Sequence, residues 1–192
     1  MKYKLTKESK VEFGVKLYRI EALENNERYG VDKGDKGGWI EKEANLSQDD
    51  NAWVFGNARV YGNARVYDNA WVSGNAWVYD NARVYGNAWV SGDAWVYGNA
   101  WVYDNAWVFG NALVYGDARV YDNAWVYGKL KLIAGLFFGV KWKGETVKEI
   151  EIENGNYLIG KGDIKLGEEE PSLKGKEVKV ELDGKSYTAI IQ

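Results

Sequence analysis

From Asn51 to Gly128 the chain repeats one six-residue pattern thirteen times without a break. Each copy runs Asn or Asp, then Ala, then Trp, Arg or Leu, then Val, then Tyr, Phe or Ser, then Gly or Asp. Ala holds the second place and Val the fourth in every copy, while the third and fifth places vary in size and charge. Alternate residues of an extended strand point to opposite sides. The side that admits only Ala and Val is therefore the interior, and the side that exchanges Trp for Arg is open. The opposite register would enclose Trp, Tyr and four Arg in a narrow coil without partners for the charge, which desolvation forbids.

Short strands joined every six residues by Gly/Asp-Asn/Asp corners predict a solenoid, because Gly, Asn and Asp tolerate positive φ and Asx side chains bond to local backbone. Val54 is followed four places later by Ala58, Val60 by Ala64, and so on to Val120 and Ala124. This spacing of an aliphatic and a small residue resembles the hexapeptide-repeat left-handed β-helix family. The resemblance implies a triangular prism with three hexapeptides per coil, in which residues 18 apart stack as columns. Every third repeat then carries Trp53, Trp71, Trp89, Trp107 and Trp125 on a first face, beside Phe55, Ser73, Ser91, Phe109 and Tyr127. The second face carries Arg59, Trp77, Trp95 and Leu113 beside Tyr61, Tyr79, Tyr97 and Tyr115. The third carries Arg65, Arg83, Trp101 and Arg119 beside Tyr67, Tyr85, Tyr103 and Tyr121, with Asp68, Asp104 and Asp122 at its corners. Three of the four array arginines share one face and none lies on the Trp face, which favours three sides over four.

The expected fold class is all-β: a left-handed, triangular parallel β-helix with a short N-terminal β cap and a small C-terminal β domain. The helix is predicted over residues 38–135, with its clean repeats at 51–128. Gly38-Trp39-Ile40-Glu41 and Ala44-Asn45-Leu46-Ser47 match the strand template before a two-residue insertion, and Leu130-Lys131-Leu132-Ile133 matches it afterwards. Residues 1–37 form the cap, read as an alternating run from Phe13 to Ile20 followed by a loop rich in Gly and charge. A solenoid needs such a cap because its open edges would template further pairing. Residues 136–192 form the C-terminal domain of about five strands. Leu136–Trp142, Val147–Ile152 and Tyr157–Ile159 read as strands, the last two joined at Asn154-Gly155. The clearest hairpin is Glu177–Leu182 with Lys185–Ile191 around Asp183-Gly184.

The composition narrows function chiefly by what it lacks. No histidine and no cysteine occur, which removes the commonest general base, the commonest metal ligand, thiolate sites and disulfides together. Hexapeptide β-helices are best known as acyltransferases that rely on a histidine, so the resemblance carries the fold without that activity. No catalytic residue, metal site or cofactor is expected; the Asp corners read as turn residues rather than calcium ligands. The 25 Lys+Arg against 28 Asp+Glu argue against bulk nucleic-acid binding. No apolar stretch is long enough for a membrane span or a signal peptide, so a cytoplasmic protein is expected.

Binding remains. The stacked Trp53, Trp71, Trp89, Trp107 and Trp125 with Phe55 and Phe109 form an apolar face rich in hot-spot residues, expected to be an interface and most economically a homo-oligomeric one. The third face places Arg65 over Arg83, like charges that need an offsetting partner. Arg65, Arg83, Arg119, Trp101, Tyr67, Tyr85 and Tyr103 are the candidate ligand-binding set, since guanidinium beside aromatic rings suits a nucleotide. A narrower resemblance lies in Gly34-Asp35-Lys36-Gly37-Gly38-Trp39-Ile40-Glu41, Asn45-Leu46-Ser47-Gln48 and the first residues up to Leu23, followed by the Asn-Ala-Trp/Arg-Val-Tyr-Gly repeats. Together these look like small proteins encoded by bacteriophages and prophages. That resemblance carries over no enzymatic activity and implies a small phage protein acting in the bacterial cytoplasm, often against host defence; the reading is of a non-enzymatic binding protein. The expected partner is a host protein blocked through the aromatic surface; the alternatives are a sequestered nucleotide signal and a structural or assembly role in the virion.

Overall fold

Each hexapeptide forms a short strand, two residues long as in Trp71–Val72 or Arg83–Val84 or three as in Arg119–Tyr121, and a corner. At the corner the carbonyl of Ser73 accepts the N–H of Ala76 (3.3 Å), and the first central residue, Gly74, sits at φ 68°. Positive φ recurs at this place in every clean repeat, held by Gly or by Asp68, Asp80, Asp104 and Asp122. These are the residues that enter the left-handed region at least cost. In the computed structural model the described residues are 1–138 and the strands Tyr157–Gly160, Asp163–Leu166, Glu177–Leu182 and Lys185–Ile190.

The corners wind the chain into a three-sided parallel β-solenoid of about six coils. Trp53, Trp71, Trp89, Trp107 and Trp125 pair in register on one sheet, and Arg65, Arg83, Trp101 and Arg119 on another. Backbone hydrogen bonds run from coil to coil. Trp71 N–H donates to Ala88 O at 2.9 Å, Ser73 N–H to Val90 O at 2.9 Å and Asn75 N–H to Gly92 O at 2.8 Å. The interior is Ala and Val throughout: no array Ala or Val is more than 6% exposed. Each buried Val contributes roughly 1.5–3 kcal/mol by leaving water, so thirteen of them form a continuous core along the axis. Exposed amide ladders line the corners, as where Asn51 donates to Asn69 (2.8 Å) and Asn87 to Asn105 (3.1 Å).

The coil extends beyond the clean repeats at both ends. Trp39 and Ile40 pair in parallel with Arg59 and Val60, and Leu46 bridges to Val66, both with a 20-residue offset that absorbs the two-residue insertion. At the far end Leu113 pairs with Lys131, but Arg119 pairs with Leu136 at an offset of 17. One residue has dropped out, and Phe137 replaces Val as the interior side chain. The strand Leu136–Phe138 thus continues the third face, past the expected boundary at residue 135.

The N-terminal cap is an antiparallel hairpin of β1 (Tyr3–Glu12) and β2 (Val15–Ala22), joined through β2 to β3 (Lys36–Ile40) at the edge of the second face. Phe13 and Gly14, at φ 50° and 79°, form its two-residue turn. The alternating run read from Phe13 onward is therefore interrupted at its start: Phe13 belongs to the turn and only Val15 onward to a strand. Lys2 fastens the cap from within, its ammonium donating to the carbonyls of Asp50 and Ala52 (both 2.8 Å) and to Asp50 Oδ1 (3.3 Å). Burial pulls the Lys2 pKa below its ordinary value, against the opposing pull of Asp50.

In the C-terminal segment Tyr157–Gly160 pairs antiparallel with Asp163–Leu166. The expected Glu177–Leu182 hairpin pairs with Lys185–Ile190 in the two-residue-turn register. The strand expected at Val147–Ile152 and the remainder of Leu136–Trp142 after Phe138 lie outside the described residues.

Candidate functional site

The first face carries no charged side chain at its outward strand positions, unlike the other two. Its Trp column changes character along the axis. Trp53 is only 1% exposed, enclosed edge-on by Tyr3 at 6.3 Å, so it belongs to the core rather than to an open face. Trp71 is half-buried between Tyr29 (4.6 Å) and Phe55 (5.6 Å). From Trp89, which is exposed, the rings lie nearly parallel: Trp89, Trp107 and Trp125 stack at 4.9 and 4.8 Å with interplanar angles of 6° and 2°. Phe109 stacks on Tyr127 beside them, at 5.1 Å. The N-terminal segment therefore takes up one end of the expected interface. Nothing in the local pattern around Tyr3 or Tyr29 marks them as partners of residues some forty to fifty positions on.

On the third face, Arg83 and Arg119 lie over the two sides of Trp101, 4.9 and 4.7 Å from the ring centroid. This cation–π sandwich offsets the crowding of like charge along the column. Among the described residues no Asp corner forms an ion pair with these arginines. Asp68 accepts the Gly86 N–H one coil on (3.1 Å), and Asp80 likewise accepts from Gly98 (3.3 Å). Arg65 stands directly beside Arg83 in the register and, among the described residues, its guanidinium has no ion pair, hydrogen bond or ring contact. Its counterpart on the second face differs, since Arg59 is held by both carboxylate oxygens of Glu12 and lies over Trp77 at 4.6 Å.

Tyr67, Tyr85, Tyr103 and Tyr121 form a continuous stack at 4.8, 5.0 and 5.2 Å, with interplanar angles of 4°, 4° and 6°. Both faces of Tyr85 and Tyr103 are covered by their neighbours, and both faces of Trp101 by guanidinium. These three rings present edges outward, so no ligand ring lies flat on them. Tyr67 is the first rung. The register that joins Leu46 to Val66 puts Ser47 where a preceding ring would stand, and Ser47 N–H donates to Val66 O at 2.9 Å.

Two depressions meet at Arg65 and Arg83. One, of 370 Å³, is bordered by Lys42, Asn45, Asn63 and Asn81; the other, of 510 Å³, by Glu43, Ser47, Asp49 and Tyr67. Asn45 is fully buried and fixed, donating to Gly62 O (3.2 Å) and Ala64 O (2.9 Å) while its Oδ1 accepts the Lys42 N–H (3.0 Å). Burial holds the Tyr67 hydroxyl above its ordinary range, against the pull of Arg83 and Arg65. The structure thus brings Arg65, Arg83 and Tyr67 of the candidate set together, and leaves Trp101, Arg119, Tyr85 and Tyr103 in the closed ladder. Lys42 and Ser47 were missed as site residues; the 20-residue offset, visible in the sequence, is the signal that places them. Among the described residues no cluster of carboxylates converges as a metal site would, and no helix is long and apolar enough to cross a membrane.

Fold and surface define a hexapeptide-repeat parallel β-solenoid with a neutral aromatic face and an arginine-bearing one. A family model, the YdcK beta solenoid repeat, matches residues 52–67, 58–74, 64–80, 76–92 and 112–128. The chain is similar to that family within the array. No curated protein matches its sequence.

Proposed function

We propose that the protein is a non-enzymatic, phage-type binding protein, a left-handed β-solenoid that blocks a host protein in the bacterial cytoplasm. Its contact surface is the Trp89–Trp107–Trp125 end of the first face. The observation that carries this reading is the uncharged stack of aromatic rings in which Trp89 stands exposed. Trp and Tyr dominate binding hot spots because they bury large areas at low entropic cost. The phage context rests on the resemblance of residues 34–48 and of the repeats that follow.

Size decides what kind of contact this is. Three strands at ~4.8 Å spacing and a side six residues long give a flat footprint of roughly 300 Å². That is the scale of a functional patch on a monomer, and well under the ~800 Å² per partner of a standard stable interface. The patch is therefore the anchor of a larger contact with a partner protein, and self-association through it alone is weak and concentration-dependent. The test is capture from a bacterial lysate with the wild type and with Trp89→Arg, alongside light scattering over a range of concentrations. Trp89→Arg should lose both the captured partner and any concentration-dependent rise in mass while its circular dichroism stays β-rich. An equal capture and equal mass in the variant would overturn the assignment of this face.

A further inference from the structure

We propose that the groove at the start of the third face binds a nucleotide, with the base stacked on the free face of Tyr67 and the phosphate held by Arg65 and Arg83. The site is separate from the Trp patch and does not depend on it.

Three features converge there. The first is the broken ladder: every later tyrosine of the column is covered on the side that Tyr67 leaves open, because Ser47 replaces a ring. A face-on stacking position for one base exists at this rung and not at Tyr85 or Tyr103. The second is unspent charge. Arg65 is exposed and unpaired among the described residues, and Arg83 uses only its face against Trp101, leaving its N–H groups for an oxyanion. Lys42 borders the same depression as Arg65 and Arg83, which adds a third cationic residue to its rim. Guanidinium groups suit such an anion because their N–H groups bind it in pairs. The third is the charge balance of the groove. Glu43 and Asp49 line the side nearest Tyr67. They accept from ribose hydroxyls or from the N–H edge of a base, and they disfavour a heavily charged ligand. Three cations against two carboxylates fit a monophosphate or a phosphodiester better than a triphosphate.

A bare phosphate or a bare nucleoside engages only one half of this groove, so each should bind weakly. Calorimetry of the full chain against GMP, AMP, guanosine and inorganic phosphate, at about 50 and about 200 mM salt, separates these. A nucleotide should bind at least about tenfold more tightly than guanosine or phosphate, with affinity falling as salt rises. Arg65→Ala/Arg83→Ala should weaken it about tenfold or more and flatten the salt dependence. Ser47→Tyr should extend the stack over Tyr67 and weaken it about tenfold with all three cations in place. Tyr67→Ala, which removes the platform, gives the same loss if Ser47→Tyr does not fold. Absence of heat with both nucleotides, phosphate binding as tightly as GMP, or unchanged affinity in the correctly folded Ser47→Tyr protein would each overturn the proposal.

Discussion

Val84 sits at the middle of the array with no exposed surface, between Val66 and Val102 in its column. The backbone donors beside it are already used, Arg83 N–H by Ala100 O (2.9 Å) and Tyr85 N–H by Val102 O (3.0 Å). Val84→Asp therefore introduces a carboxyl group with nothing to bond it. Held neutral at pH 7, a carboxyl of ordinary pKa costs about 4 kcal/mol to protonate. The lost Val burial adds roughly 1.5–3 kcal/mol and the unsatisfied polar atoms about 1–3 kcal/mol. The total is about 6–10 kcal/mol, comparable to the whole stability of an ordinary domain. Tyr85→Asp, one residue on and outward, forfeits its stacks on Tyr67 and Tyr103, at about 0.5–1.5 kcal/mol each.

The assay is soluble yield and thermal unfolding by circular dichroism, for both variants, at pH 7 and near pH 4. Val84→Asp should be insoluble or unfolded at pH 7 and should recover part of the deficit near pH 4, where protonation is nearly free. Tyr85→Asp should melt cooperatively a little below the wild type. A soluble Val84→Asp protein melting within about 2 kcal/mol of the wild type at pH 7 would refute the inward register and with it the account of the core.

Two further outcomes follow from corners and ladders. At Gly92, φ is 68° and an added Cβ would lie 2.9 Å from the Gly110 nitrogen, so Gly92→Ala should cost about 1–3 kcal/mol in thermal melts; Gly92→Asp should cost less, since an Asp at this place accepts the next coil's N–H, as Asp68 does from Gly86. An Ala variant as stable as the Asp variant would contradict this. Burial first, and then neighbouring charge, raises the hydroxyls of Tyr61, to about 12, and of Tyr79, Tyr85, Tyr97 and Tyr103. Because the folded pKa values exceed the unfolded value of 10, their contribution to stability is complete below pH 10 and is lost as pH rises towards 12. Phenolate absorbance and loss of the β signal should appear together in that window; ladder tyrosines ionising at pH 10 with the fold intact would show that the rings are not held as described.

The array was legible because its interior rule is absolute: a strand that tolerates nothing but Ala and Val on one side declares that side buried. The three-sided form was legible through columns such as Trp53, Trp71 and Trp89, which pair in register. What escaped was set by long-range covering. Tyr3 and Tyr29 convert Trp53 and Trp71 from surface to packed residues, and the local sequence around them has no period to betray it. Phe13 at positive φ was illegible for another reason, since a bulky residue seldom takes that conformation and only the adjacent Gly14 hints at a turn. The loss of one residue before Leu136 shifts the last coil by a single place, too small a change to see in a sequence whose repeat has already decayed.

A ladder of identical residues hides most of what it displays. Rings 4.8–5.2 Å apart and nearly parallel cover one another's faces, so a long Tyr or Trp column offers mainly edges to solvent, however many rings it contains. Only a terminal rung, or a place where a small residue interrupts the column, exposes a face. The charges obey the same rule: Arg83 and Arg119 satisfy one another's crowding through Trp101, and the arginine at the start of the column, Arg65, is left without a partner among the described residues. Thirteen near-identical repeats can thus contain one distinct site, fixed where the repeat begins. Tyr67 and Arg65 have no special side chains. Ser47 and Asn45 in the coil before them make them different, and substitution at Ser47 tests that difference with every repeat residue left in place.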